Sequence, residues 1–278
     1  MSGLTVPARR DDLRWIAPAA ARAHVIEDFD ELLELWSSSP WRVRVTARGE
    51  AALLGRWREH LGLCAVLGLW CSTDRIPPLI DDLRDVARGQ GFSRLLGPLV
   101  SEEVVAPYLD AGLEQLERIL VLRLEPPDVV RLAFELPAGV TVRVATPPDL
   151  PAVLACDAAA FDDFWRYDEL SLRRYARSER LALAEKDGRL IGYTLATVRA
   201  GEGSLGRLAV AQDERGHGVG RALVCEAVRW MAASGARAVT LSTQETNESS
   251  RRLYASLSFR QLPGALVSTV SEPLETPR

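Results

Sequence analysis

Lysine is nearly missing from this sequence: Lys186 is the only one, and arginine supplies the rest of the 34 basic side chains. We read that imbalance as a bias of genomic composition rather than as function. Histidine is scarce as well, with only His24, His60 and His217. The four cysteines, Cys64, Cys71, Cys156 and Cys225, are scattered, with no C-x-x-C pair and no histidine at ligand spacing. A zinc site or a disulfide framework is therefore not expected, and the thiols read as buried or half-buried. No apolar run approaches the roughly 18–20 residues needed to cross a bilayer; the longest lies around 61–71. The opening MSGLTVPARRDDLRW breaks into charges where a secretory apolar segment would stand. An excess of basic charge is lacking too, since 38 acidic side chains leave a net charge of −4. Nothing electrostatic calls for nucleic acid or anionic lipid as a partner. These absences lead us to expect a cytoplasmic chain with no metal, no nucleic-acid partner and no membrane partner.

What is present is ordinary globular material, 278 residues with 47% apolar and 26% charged side chains, enough for two domains of about 140 residues each. Residues 1–20 read as an N-terminal extension, frayed rather than packed. A first domain over 21–128 comes next. It has a helical pattern in HVIEDFDELLELWSS, strands in WRVRVTA, EAALLGRW and LGLCAVLGLWC, and a helix over 75–90 whose first turn accommodates Pro77 and Pro78. The Pro-rich EPPDVV and the LPAG after it give a linker, set at 129–139. A second domain over 140–278 alternates strands with helices in the order β-α-α-β-β-β-α-β-α-β. Lys186 to Arg189 form a turn with Gly188 at positive φ, and Asn247 is placed to cap the helix over 249–257. The halves repeat each other weakly: Tyr108 lies against Tyr254, and Gly91 against Gly235, each glycine preceding a strand.

The informative stretch is LGRLAVAQDERGHGVGRALV. A strand ends at Val210, and Arg215-Gly216-His217-Gly218-Val219-Gly220 leads into a helix. Alternating glycines let backbone N–H groups approach a ligand with no Cβ in the way. At a helix N-terminus those groups are unpaired and stand in the positive end of the macrodipole, which suits a phosphate or pyrophosphate. The dinucleotide pattern G-x-G-x-x-G is not met, because the third glycine comes one residue early, and the Gly-Lys-Ser/Thr of nucleoside triphosphatases is absent.

The pattern R-x-x-G-x-G after that strand resembles the coenzyme A pyrophosphate loop of the GNAT superfamily of acyl-CoA-dependent N-acyltransferases. Downstream, Asn247, Leu253, Tyr254, Leu257 and Phe259 form N-x5-L-Y-x-x-L-x-F, which resembles the second half of the same fold. The resemblance covers about 140–272. It implies two tandem GNAT-like domains, each a mixed, mostly antiparallel twisted sheet flanked by helices. The first is degenerate, since STDRIPP has no glycine cradle and Pro77 and Pro78 remove two N–H donors.

The resemblance further implies a strand that splays from its neighbour to take the pantetheine arm of acetyl-CoA along Leu208, Ala209 and Val210, with Gly206 marking the bulge. Arg215, Gly216, His217, Gly218, Val219, Gly220 and Arg221 would hold the pyrophosphate, with Asn247 and Tyr254 beside the cofactor. Tyr254 would protonate the leaving thiolate, or else is a packing residue. The general base is open. A related branch, the ribosomal-protein alanine N-acetyltransferases, has a Glu five residues before the Asn. Ser242 stands there in this chain, with Gln244 nearby, so either that branch is the wrong one or a water relay takes over. Glu185, Glu202 and Glu245 are further candidates or solvated surface residues. The segment FDDFWRYDE over 161–169, with Asp163 and Trp165, falls where the family keeps its acceptor loop. Its acids would draw a cationic amine, or merely cap helices. Arg251 and Arg252 would meet the nucleotide or cover their helix. The expected partner is an amine-bearing small molecule or polypeptide, bound by a monomer or homodimer. Tandem members resemble the mycothiol synthases, which act on the amine of a cysteine-bearing pseudodisaccharide. A non-catalytic acyl-CoA-binding or regulatory protein is the alternative, and a pure scaffold a third.

Overall fold

The computed structural model describes residues 3–23, 25–26, 28–58, 60, 62–125 and 135–274. Residues 129–134 of the expected linker, and His24, lie outside them. The chain divides into two compact units, Met1–Arg118 with Gly264–Arg278, and Ile119–Pro263.

In the first unit the strands β1 (Val6–Pro7), β2 (Val43–Val45), β3 (Ala51–Arg56), β4 (Leu63–Trp70) and β5 (Arg94–Leu96) lie side by side in chain order, and all pairs except β4/β5 are antiparallel. A two-residue strand, β6 (Val100–Ser101), comes after them. Four helices accompany them: α1 (Leu13–Arg22), α2 (Phe29–Ser38), α3 (Ile76–Gly89) and α4 (Ala106–Asp110).

The expected frayed extension is in fact packed. Leu13, Ile16, Ala17 and Ala20 recur at helical spacing on the buried face of α1 and join a core with Leu32, Val43 and Leu53. The Ala8 N–H donates to the Val43 carbonyl at 2.8 Å. Pro18 within α1 and its run of alanines hide that periodicity in the sequence. Pro77 and Pro78 do occupy the first turn of α3.

Strand β7 (Leu113–Leu124) contains the boundary between the units, at 118/119. The second unit adds β8 (Val140–Val144), helices α5 (Leu150–Ala160) and α6 (Glu169–Ser178), and strands β9 (Arg180–Lys186), β10 (Arg189–Arg199) and β11 (Glu202–Val210). Helix α7 (Val219–Ala233), β12 (Ala238–Gln244), α8 (Glu248–Ser256) and β13 (Arg260–Gln261) follow among the described residues. Its strand order is β8-β9-β10-β11-β12-β7, antiparallel throughout except for β11/β12. The last strand, β14 (Leu266–Ser271), belongs to the first unit, where it pairs with β5 and β6.

The repeat anticipated from the sequence reaches fine detail. In the first unit β4 runs parallel to β5 over Leu63–Ala65 only, and Leu67 is an unpaired extra residue opposite β3. In the second, β11 runs parallel to β12 over Glu202–Leu205 only, and Gly206 is the extra residue opposite β10.

Candidate active site

The bulge at Gly206 sets the course of the rest of β11. A bulge bends its strand and increases the local twist, and from Gly206 to Val210 β11 has no partner in β12, although β12 runs on to Gln244 with β7 on its other side. The Ala211 N–H donates to the Ile191 carbonyl at 2.8 Å. Alternation along an antiparallel pair therefore turns the backbone groups of Val210 and Leu208 away from β10, to the edge that β12 leaves free, while Ala209 faces Tyr193. The side chains of Leu208 and Val210 pack with Val219 and Leu223 of α7, and Ala209 packs on the opposite face with Val153 and Leu172.

Beyond Val210 the chain makes a tight turn. Gly216 and Gly218 have φ of 80° and 86°, and Gly218 is the N-cap of α7. A left-handed N-cap is open to glycine at little cost and strained for other residues. The first bond closing the helix runs from the Ala222 N–H to the Gly218 carbonyl at 3.0 Å. The N–H groups of Val219, Gly220 and Arg221 precede it and have no partner four residues back in the helix. A Cβ on Gly220 would stand 3.5 Å from both Val210 Cγ2 and Leu253 Cδ2. Strand end, helix start and α8 thus meet at one point. The only lysine helps fix the preceding turn, Lys186 Nζ donating to buried Glu214 at 3.1 and 3.2 Å.

His217 is exposed. Arg215 donates through Nε to the Val210 carbonyl at 3.2 Å, and Arg221 Nη1 to Ser256 Oγ at 3.2 Å. Asn247 caps α8, its Oδ1 accepting from the Ser250 N–H at 3.1 Å, and the Gln244 carbonyl accepts from the Asn247 N–H at 3.0 Å. Arg252 pairs with Glu248, and Arg251 donates to the Glu245 carbonyl.

Tyr254 is 5% exposed and lies edge-on to Phe259, with ring centroids 5.8 Å apart. Burial pushes its phenol up to about 12, and its hydroxyl has no hydrogen-bond partner among the described residues. Its first-half counterpart, Tyr108, is likewise buried in the core and raised to about 12. Burial also raises all four thiols, Cys64 to about 12 and Cys71 and Cys156 to about 11, which removes their thiolate reactivity at neutral pH.

The acids of the 161–169 segment are neutralised or occupied locally. Asp163 is exposed and paired with Arg166 at 2.9 Å, Glu169 pairs with Arg173, and Asp168 caps α6. Asp162 accepts from the N–H of Trp165, whose half-buried ring packs edge-on against Phe164.

What holds that segment is a group that sequence reasoning missed. Asp157, 0% exposed, accepts from Arg207 Nε at 2.8 Å and Nη2 at 2.9 Å, from the Tyr193 hydroxyl, and from the Tyr167 N–H at 2.6 Å. Arg207 also donates to the Trp165 carbonyl at 2.8 Å. Its guanidinium lies 3.4 Å from the Phe161 ring centroid and 4.1 Å from that of Tyr167. A buried ion pair with nearly every lone pair satisfied fixes geometry strongly. Here it ties the 161–168 segment to the residue just after the bulge. The signal that was available is an aspartate four residues after Val153, on the buried face of an apolar helix.

The sequence profile of the Acetyltransferase (GNAT) family matches residues 150–259. Over those residues the chain is similar to the GNAT acetyltransferases. Among relatives, the mycothiol acetyltransferase of Frankia alni is 36% identical over 146 residues, covering 45% of this chain and 44% of that protein. The chain spans about half the length of the curated relatives it matches first. The crystal structure of a GCN5-related N-acetyltransferase from Sphaerobacter thermophilus superposes with a TM-score of 0.64 at 19% identity, covering 98% of this chain and 95% of that one. A tandem GNAT protein from the clavulanic acid biosynthesis pathway gives 0.64 at 17% identity, covering 85% and 83%. The GNAT likeness in fold therefore extends across both units, beyond the matched domain.

Proposed function

We propose that this protein is an acetyl-CoA-dependent N-acetyltransferase that acetylates a primary amine by direct attack within a ternary complex, using the GNAT domain of the second unit. One observation carries this reading: the free edge of β11 leads straight into the bare N-terminus of α7. The backbone groups of Leu208 and Val210 suit an extended amide-bearing arm, and the N–H groups of Val219, Gly220 and Arg221 suit a pyrophosphate. Acetyl-CoA, when bound, supplies the thioester. An N–H of the free edge would polarise its carbonyl and stabilise the developing oxyanion, and Tyr254 would return a proton to the departing sulfur.

The first unit is proposed as a degenerate tandem copy. Where α7 offers bare amides, α3 carries Pro77 and Pro78 in its first turn and the Arg75–Glu50 ion pair, at 2.8 Å, stands before it. The names of the curated relatives make the amine of a cysteine conjugate the first acceptor class to try, with other small amines and peptide N-termini after it.

Calorimetry with acetyl-CoA, followed by mass spectrometry of an amine panel that includes L-cysteinamide, tests the proposal. We expect binding and an N-acetylated product. Binding with no product from any amine would favour an acyl-CoA sensor, and absence of binding would remove the transferase reading.

A further inference from the structure

The proposed reaction needs a proton acceptor, and two of the three carboxylates that the sequence puts forward, Glu185 and Glu202, are committed to arginines. Glu185 is bound bidentately by Arg143, at 3.0 and 2.7 Å. Glu202 is held by Arg123 at 2.8 and 3.2 Å, which lowers its pKa. Held in this way, Glu202 is a poor proton acceptor.

Glu179 differs. It stands between α6 and β9, half-buried, and its carboxylate makes no hydrogen bond or ion pair among the described residues. Its N–H ends α6 by donating to the Tyr175 carbonyl at 2.8 Å, which anchors the backbone. A Cβ built on Gly206 would lie 3.5 Å from Glu179 Oε2. Gly206 is the bulge residue at which the free edge of β11 begins. From Val210, beside the pyrophosphate turn, back to Gly206 is four residues, about 13 Å of strand. An arm laid along that edge brings its far end, the acyl end, to Gly206. With no side chain on Gly206, the carboxylate of another element reaches the spot.

We propose that Glu179 is the general base, taking the proton of the acceptor amine at the Gly206 bulge; the inference rests on the N-acetyltransferase reading above. As the amine nitrogen bonds to the carbonyl carbon, one N–H proton passes to Glu179. Collapse of the tetrahedral adduct breaks the C–S bond, the electron pair leaves on sulfur, and sulfur takes a proton from Tyr254. Glu179 then gives its proton to solvent and Tyr254 regains one. Burial suits the task by raising the Glu179 pKa, with Arg199 of β10 acting in the opposite sense.

The test compares wild type with Glu179→Gln and Glu179→Asp, using acetyl-CoA and whichever amine of the panel, L-cysteinamide first, gives most product. Glu179→Gln should bind acetyl-CoA with unchanged affinity and keep its thermal midpoint. Its kcat should fall about a hundredfold, and the acid limb of the kcat–pH profile that belongs to the carboxylate should vanish. Glu179→Asp should recover part of the rate. Wild-type kcat and an unaltered profile in Glu179→Gln overturn the assignment while leaving the transferase reading intact. A wild type that does not bind acetyl-CoA, or acetylates no amine, defeats that reading first and the assignment with it. A direct check needs no acceptor: a carboxyl of ordinary pKa at Glu179, by carbon NMR titration of the free protein, also overturns it.

Discussion

Two residues with similar burial make opposite demands. Tyr254 is buried against Phe259 with an unpartnered hydroxyl, so loss of that hydroxyl should be felt in chemistry rather than in folding. Tyr254→Phe is expected to lower kcat by about a hundredfold with acetyl-CoA affinity and thermal midpoint unchanged, as steady-state rates beside calorimetry will show. Because burial holds the phenol up to about 12, Tyr254 stays protonated in the free protein through any ordinary assay range. No alkaline fall in kcat/KM from this group should appear below about pH 10, the ordinary value of a phenol; a fall centred near pH 8 would assign the donor elsewhere. Asp157 makes the contrary case. Asp157→Ala leaves Arg207 buried without its counter-charge, a loss of about 3–5 kcal/mol, read by urea unfolding. A change under about 1 kcal/mol would mean that the pair does not hold the 161–168 segment. Tyr254 was visible in the sequence because a spaced motif surrounds it. The Asp157–Arg207 pair was not, because its members are fifty residues apart and only the fold brings them together.

At the scale of elements, the turn before α7 was the most legible part of the molecule. Glycine at positions of positive φ leaves a mark in any sequence, and Gly216 and Gly218 both require it. Gly218→Asp should weaken acetyl-CoA binding by at least about tenfold in calorimetry, through a strained φ of 86° and a negative charge where phosphate is expected. Unchanged affinity would count heavily against the loop. The turn at Asp187-Gly188, with φ of 51° and 74°, was legible for the same reason. Helix α1 was not, because alanine and an internal proline blur the spacing of Leu13, Ile16 and Ala20. Nor was the role of the acids over 161–169, since charge composition does not reveal that Arg166 and Arg173 sit within reach.

At the scale of the whole molecule, the sequence announces two similar halves but not how they share strands. Alternation marks a strand and its faces; it is silent about which sheet edge the strand will join. Cutting at the proline-rich stretch would give a fragment 140–278 that lacks Ile119–Leu124, the partner of β12, and keeps Leu266–Ser271 without β5 and β6. Residues 119–263 hold together as a compact unit. We expect the 119–263 fragment to unfold cooperatively and to bind acetyl-CoA. The 140–278 fragment should aggregate or show poor amide dispersion by NMR. The reverse outcome would mean that the exchanged strands contribute little.

The place of β14 also sets an order of events during synthesis. The first unit is begun first, yet Leu95 awaits Ser271, whose hydroxyl accepts its N–H at 2.9 Å, and Gly97 awaits the Thr269 carbonyl. Those partners leave the ribosome after every residue of the second unit. The later-made unit can therefore finish folding while the earlier one still has an open sheet edge, so a nascent chain stalled near residue 263 would expose β5 to chaperones or to aggregation.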